Sequence, residues 1–124
     1  MTKQIILVGL GGATGSIFRY LTSVLTSKYY SNTFPLATFA ANVLGCLLIG
    51  LFIGYIDRNQ SASPDLRFLL ITGFCGGYTT FSTFASENLT LLQTGNYLTG
   101  LIYISASVLT GIIAVWFGLI LTKI

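Results

Sequence analysis

The segment from Gly73 to Phe84 holds the residues with the most chemical potential in this sequence. It reads GFCGGYTTFSTF, and it places glycines, hydroxyls and two phenylalanines inside a run long and apolar enough to cross a membrane. In hydrocarbon, non-helical backbone survives only when it is buried in protein or lines a wet cavity. Gly76-Gly77, followed by Thr79-Thr80, therefore predicts a helix break that serves a pathway or an ion site.

Uncharged donors and aromatic edges recur in the apolar segments. The Asn42 amide can donate two hydrogen bonds without carrying charge, and Phe81 and Phe84 are spaced to share one helical face. Tyr103 and Ser107, four apart, offer a hydroxyl track, and an aromatic ring has a positive edge that can face an anion. Such a lining can replace an anion's water without trapping the ion. Helix–helix hydrogen bonding for Asn42 and plain packing for the phenylalanines are the alternatives.

Two charged residues lie within predicted spans, where ionisable groups are costly and usually face a cavity. Arg19 either forms part of a vestibule that attracts anions or snorkels toward the interface as an anchor. Glu87 lies beyond the centre of its span, so it is either a functional carboxylate or an interfacial one. The sequence leaves both choices open.

Composition sets the class of protein. Of 124 residues, 53% are hydrophobic and 7% are charged, which predicts an integral membrane protein. Histidine is absent, and Cys46 and Cys75 lie far apart, so neither a zinc pattern nor a disulfide framework is present. The net charge of +3 comes from scattered basic residues, which argues against nucleic-acid binding. We predict that the chain is not an enzyme.

Hydropathy predicts an all-α membrane protein with one domain, residues 1–124, and four spans. We place them at about 5–25, 36–56, 68–92 and 97–121, each near the roughly 20 residues that cross a bilayer. Turn and charge signals fill the connections between them. The last connection, Thr94-Gly95-Asn96, is so short that the third and fourth spans must be antiparallel neighbours.

Orientation is weakly specified. Lys3, Arg58, Arg67 and Lys123 flank one predicted face, and Lys28 flanks the other. The positive-inside rule therefore leans toward both termini inside. One fixed topology, insertion in both directions as an antiparallel pair, and pairing with an oppositely biased partner all stay possible.

Small residues recur at a spacing of four, the pattern that lets membrane helices approach closely. The pairs are Gly11 and Gly15, Ala41 and Gly45, Gly50 and Gly54, and Gly73 and Gly77. We expect them to pack the helices of a bundle.

The sequence resembles the Fluc (CrcB) family of fluoride channels over nearly its whole length. The resemblance rests on GGATGSIFRY in the first span, ANVLG around Asn42, and GFCGGYTTFSTF, which is the most specific motif. It implies a multi-pass protein of the cell membrane that passively exports fluoride and gives fluoride resistance. It also implies an antiparallel dual-topology dimer with two pores, formed with an identical or an unlike paralogous subunit.

Site residues follow from the same resemblance. It implies a fluoride pathway lined by Asn42, Phe81, Phe84, Tyr103 and Ser107. It further implies that Arg19 lies near a vestibule, that Glu87 lies near a pore end, and that the backbone carbonyls of Gly76 and Thr79 hold a structural Na⁺. Gly111, one turn beyond Ser107, departs from relatives that present a hydroxyl there, although Thr110 is adjacent.

Two other classes compete with a channel. Small multidrug-type, proton-coupled exporters also have four short helices, but they resemble one another in carrying a carboxylate in the middle of the first span. Residues 5–25 contain no acid. A non-transporting assembly subunit would explain the glycine spacing, but it leaves the helix break, Asn42 and the phenylalanine pair without a role.

Overall fold

Helices form the whole framework of the chain, and the structure, a computed structural model, describes residues 1–124. Helix α1 spans Thr2–Tyr29 and α2 spans Leu36–Arg58. A π-helix, Arg67–Cys75, continues into the single turn α3, Gly76–Tyr78, and α4 follows at Phe81–Gln93. Helix α5 spans Tyr97–Leu121. The all-α prediction is confirmed, but the apolar pattern does not predict the π-helix.

Three of these helices, α1, α2 and α5, are long and apolar enough to cross a membrane. The segment predicted as the third span is interrupted at Thr79 and Thr80, so it is not one continuous helix. Large apolar side chains such as Ile112 and Trp116 point outward and are more than half exposed. An outward apolar surface of this kind suits contact with lipid.

Close backbone contacts hold the bundle together, with α1 against the π-helix and α2 against α5. A Cβ atom at Gly11 or Gly15 would collide with the backbone carbonyl oxygen of Leu69 or Phe74. A Cβ atom at Gly50 would likewise collide with the carbonyl of Val115 on α5. These small residues pack the helices within the chain, as their spacing predicts.

A tight turn joins α4 to α5 as an antiparallel pair. Gly95 has a φ of 78°, the left-handed conformation that glycine adopts without a steric cost. Its N–H donates to the Leu92 carbonyl at 3.3 Å, and the Asn96 N–H donates to the Leu91 carbonyl at 2.8 Å. This is a Schellman ending, in which the last carbonyls of α4 find partners before the chain reverses.

The two termini and the α2-to-π-helix connection meet at one face of the bundle, called the terminal face below. Lys3 pairs with Asp65, and Arg67 pairs with Asp57. The hydrogen bond from Lys3 lowers the pKa of the Asp65 carboxyl. These pairs link α1 to the connection that precedes the π-helix, and α2 to the first residue of the π-helix.

Candidate functional site

The interruption of the third membrane segment consists of two extended threonines. Thr79 has φ −84° and ψ 159°, and Thr80 has φ −152° and ψ 117°. Thr80 also begins α4, because its Oγ1 accepts a hydrogen bond from the Thr83 N–H at 3.2 Å. Gly76, by contrast, has the helical angles −62° and −36°. The backbone therefore departs from the helix at the threonines, and Gly76 needs no conformation special to glycine.

Asn42 holds this break from the neighbouring helix α2. Its Oδ1 accepts the Thr80 N–H at 2.7 Å, and its Nδ2 donates to the Thr80 carbonyl at 3.1 Å. The amide thus satisfies both backbone polar groups of an extended residue, as a neighbouring strand would. Since an amide has two N–H donors, one donor of Asn42 is left for a ligand.

Gly76 and Thr79 carry carbonyls that lose their usual helical partners at the break. The Thr80 N–H, which would bind the Gly76 carbonyl in a continuous helix, donates to Asn42 instead. The Thr83 N–H, which would bind the Thr79 carbonyl, donates to the Thr80 hydroxyl. Only the Arg19 guanidinium approaches the Thr79 carbonyl, at 3.4 Å. Oxygens released in this way are suited to a hard cation such as Na⁺.

A cavity of about 440 Å³ opens beside the break. We call it the aromatic cavity, and its lining includes Asn42, Phe81, Phe84 and Ser107. The two phenylalanine ring centroids are 5.8 Å apart, and Phe81 is 79% exposed. The Ser107 hydroxyl is buried and has no hydrogen-bond partner within the chain. The structure thus brings four of the five predicted pathway residues to one cavity.

Tyr103, the fifth predicted pathway residue, lies behind this cavity. It is fully buried, and its hydroxyl donates to Glu87 Oε2 at 2.7 Å. Its ring meets the Phe84 ring edge-on, with 5.0 Å between centroids. Thr38 donates to the other Glu87 oxygen at 2.6 Å. The hydroxyl predicted to continue a track is therefore committed to the carboxylate, and the aromatic ring supports Phe84.

Arg19 and Glu87 share a second, more polar cavity of about 340 Å³, called the vestibule below. Thr38 and Thr83 also line it. Thr80 lines both the vestibule and the cavity that contains the phenylalanines. The break is therefore the boundary between a polar compartment and an aromatic one.

The sequence did not predict the contacts that Thr38 and Thr80 make in this site. Thr38 lies four residues before Asn42, so their shared helical face was a usable signal. Thr80 was placed in the break, but its role as the partner of Asn42 depends on how α2 packs. At the far end of the predicted track, the Thr110 hydroxyl donates to the Ala106 carbonyl within the same helix. Gly111 faces the sulfur atom of Cys46.

Comparison with known proteins identifies a family that covers most of the chain. The family described as CrcB-like protein, Camphor Resistance (CrcB), matches residues 6–119. The chain is 54% identical over 121 residues to a fluoride-specific ion channel FluC of Flavobacterium psychrophilum, with 98% of each chain covered. A protein of the same description from Azobacteroides pseudotrichonymphae is 44% identical, and the match covers 99% of this chain and 98% of that protein. Another, from Nitratidesulfovibrio vulgaris, is also 44% identical, and the match covers 94% of each chain.

Proposed function

We propose that this chain, which belongs to the CrcB family, carries fluoride across the membrane through the vestibule and the aromatic cavity on either side of Thr80. The chain is a multi-pass membrane protein and a fluoride-specific ion channel rather than an enzyme. It conducts passively, so it exports accumulated fluoride and gives fluoride resistance. The main support for this proposal is that uncharged hydrogen-bond donors and phenylalanine rings meet at the break.

Fluoride loses its water gradually along this route. Arg19 draws the anion into the vestibule, where the hydroxyl groups offer hydrogen bonds. Beyond Thr80, the free N–H of Asn42 and the unpaired hydroxyl of Ser107 can donate to the ion. The edges of Phe81 and Phe84 add weak positive potential without a full charge. Weak contacts in series allow the ion to enter and to leave.

The aromatic cavity requires a wall that this chain does not supply. Phe81 is 79% exposed beside the extended backbone of the break, and an irregular backbone cannot face lipid. Gly76 is exposed as well, and a Cβ atom there would meet only the Ile71 carbonyl, at 4.0 Å. We infer that a second subunit, identical or paralogous, covers this surface in an antiparallel dimer with two pores.

The same interface would hold the structural Na⁺ between the carbonyls of Gly76 and Thr79 from both subunits. The loss of helical partners for these two oxygens supports the assignment. A bound cation would offset the repulsion between converging carbonyl dipoles, and its field would favour an anion nearby. Exposure of Gly76 would then reflect the close approach of the partner backbone.

A proton-coupled exporter is not supported. Helix α1 contains no acid, and Glu87 is already bound by Thr38 and Tyr103. The deciding experiment is efflux from liposomes that contain the purified protein. Fluoride should leave down its gradient without a proton gradient, while chloride should stay inside. Comparable chloride and fluoride fluxes, or fluoride flux only with an imposed proton gradient, would overturn the proposal.

A further inference from the structure

The ends of α2 and α5 enclose a cleft at the terminal face, separate from the cavities beside the break. Two adjoining cavities of about 430 and 480 Å³ share Arg58 and Thr122. We call this surface the α2–α5 cleft and define it by Tyr55, Arg58, Asn59, Leu121, Thr122 and Lys123. None of these residues contributes to the vestibule or to the aromatic cavity.

Arg58 and Lys123 give this cleft unpaired positive charge. Neither Arg58 nor Lys123 forms a salt bridge. The Arg58 guanidinium instead donates to the Thr122 carbonyl at 3.0 Å. A guanidinium has five N–H donors, so most of those on Arg58 stay free. One acid, Asp57, also lines the cleft, but its carboxylate is already paired with Arg67. The anchored Arg58 thus offers an oriented site for an anion, and Lys123 adds a second positive charge.

The surroundings of the cleft match the boundary between headgroups and hydrocarbon. Helices α2 and α5 both end here, after long apolar runs. Tyr55 is 54% exposed and Leu121 is 43% exposed, so a ring with a polar tip and an apolar side chain lie beside the two cations. Tyrosine is enriched at this depth of a membrane. Basic pockets between membrane helices bind anionic headgroups.

From this charge complementarity we propose that the α2–α5 cleft binds an anionic phospholipid. Its phosphate lies against Arg58 and Lys123, and its acyl chain follows Tyr55 and Leu121 toward the hydrocarbon. The lipid would bridge the ends of α2 and α5, which otherwise share the Arg58 to Thr122 hydrogen bond here. This site is separate from the fluoride pathway and should stabilise the bundle without gating conduction.

Native mass spectrometry of the purified full chain, titrated with phosphatidylglycerol or phosphatidylcholine, tests the proposal. Phosphatidylglycerol should bind preferentially. Arg58→Gln and Lys123→Gln should each weaken it about fivefold, as expected for one lost charge near a lipid surface. The matched control is Lys28→Gln, which removes an exposed charge at the opposite end of α1 and should leave binding unchanged.

Two comparisons separate the possible outcomes. Glycerophosphate, which has the headgroup charge but no acyl chains, should bind far more weakly than the lipid, and equal binding would replace the lipid site with a phosphate site. Fluoride efflux from phosphatidylcholine liposomes should be unchanged in Arg58→Gln, which shows that the variant folds. Equal lipid binding by the wild type and the Arg58→Gln, Lys123→Gln double variant would overturn the proposal, whatever the result for fluoride.

Discussion

Asn42 binds both backbone polar groups of Thr80 across 38 residues of sequence, with hydrogen bonds of 2.7 and 3.1 Å. This pairing explains how an extended residue can lie within a membrane segment, where water is not available to its N–H and C=O groups. It also gives Asn42 two tasks, because the amide that holds the break has one N–H directed to neither Thr80 group. The stability of the break and the lining of the proposed pathway would thereby be coupled through one side chain.

Replacing Asn42 with alanine should therefore impair folding as well as flux. Both Thr80 groups would lose their partners, and each buried unpaired polar group costs about 1–3 kcal/mol. Thermal unfolding in detergent should show a clear fall in melting temperature, and liposome assays should show reduced fluoride efflux. Asn32→Ala, which changes an exposed asparagine in the connection between α1 and α2, is the control and should have little effect on either measurement. An unchanged melting temperature in Asn42→Ala would contradict the role assigned to the amide.

Leucine substitutions should distinguish ring edges from bulk in the aromatic cavity. Leucine keeps apolar volume but lacks the quadrupole, so Phe81→Leu and Phe84→Leu should both reduce fluoride flux. Phe84→Leu should lower the melting temperature more than Phe81→Leu does, since Phe84 packs edge-on against Tyr103 whereas Phe81 is largely exposed within the chain. Phe117→Leu, at a half-exposed phenylalanine of α5, serves as the control. Undiminished flux in both cavity variants would return the pair to a packing role.

Thr38 and Tyr103 should show energetic coupling through Glu87. Each donates to a different oxygen of the same carboxylate, at 2.6 and 2.7 Å. Thr38→Val or Tyr103→Phe alone leaves one donor in place, but the double variant leaves a half-buried carboxylate with neither. The double variant should therefore lose more stability than the sum of the single losses, by about 0.5–3 kcal/mol. A double-mutant cycle from unfolding measurements checks this, and simple additivity would argue against a shared partner.

Gly76→Ala should test whether Gly76 contacts a second subunit. Within the chain, Gly76 has helical angles and open space for a Cβ atom, so alanine should be tolerated by the monomer fold. If the Gly76 carbonyl holds Na⁺ where two subunits approach closely, the added methyl group should prevent dimer formation and reduce fluoride flux. Exchange of Na⁺ for a large organic cation should weaken the dimer in the wild type. Thr79→Ser keeps the backbone carbonyl, so it should have only a small effect on the dimer and on fluoride flux.

The control for that experiment is Gly9→Ala, because Gly9 also has open space around it. Size-exclusion chromatography with light scattering would follow the dimer, and liposome efflux would follow conduction. Full activity of Gly76→Ala together with indifference to Na⁺ would show that the break serves some purpose other than cation binding.

Labelling of the α4–α5 turn should test dual topology. In a chain with Cys46 and Cys75 replaced by alanine, Gln93→Cys supplies one exposed thiol near Gly95. The weak charge bias predicts that a membrane-impermeant reagent will modify about half of the molecules from one side, and the rest only after permeabilisation. Complete labelling from a single side would instead require fixed insertion and an unlike partner for an antiparallel pair.

The amino-acid sequence by itself determined the membrane class, the helical architecture and the segment that carries the break. Apolar runs of this length have few alternatives in lipid, and small residues four apart leave helices free to approach, so local patterns suffice. Phe81 and Phe84 could likewise be placed on one face because three residues make nearly one helical turn.

Only the tertiary structure decided which partner each polar side chain finds. Asn42 was predicted as a donor of the pathway, but its attachment to Thr80 depends on the rotation of α2 against the third segment. The Tyr103 hydroxyl was predicted to continue the track, yet α4 and α5 place it against Glu87. A buried hydrogen bond needs its two atoms within about 3 Å, and between helices that distance is fixed by packing rather than by spacing along the chain.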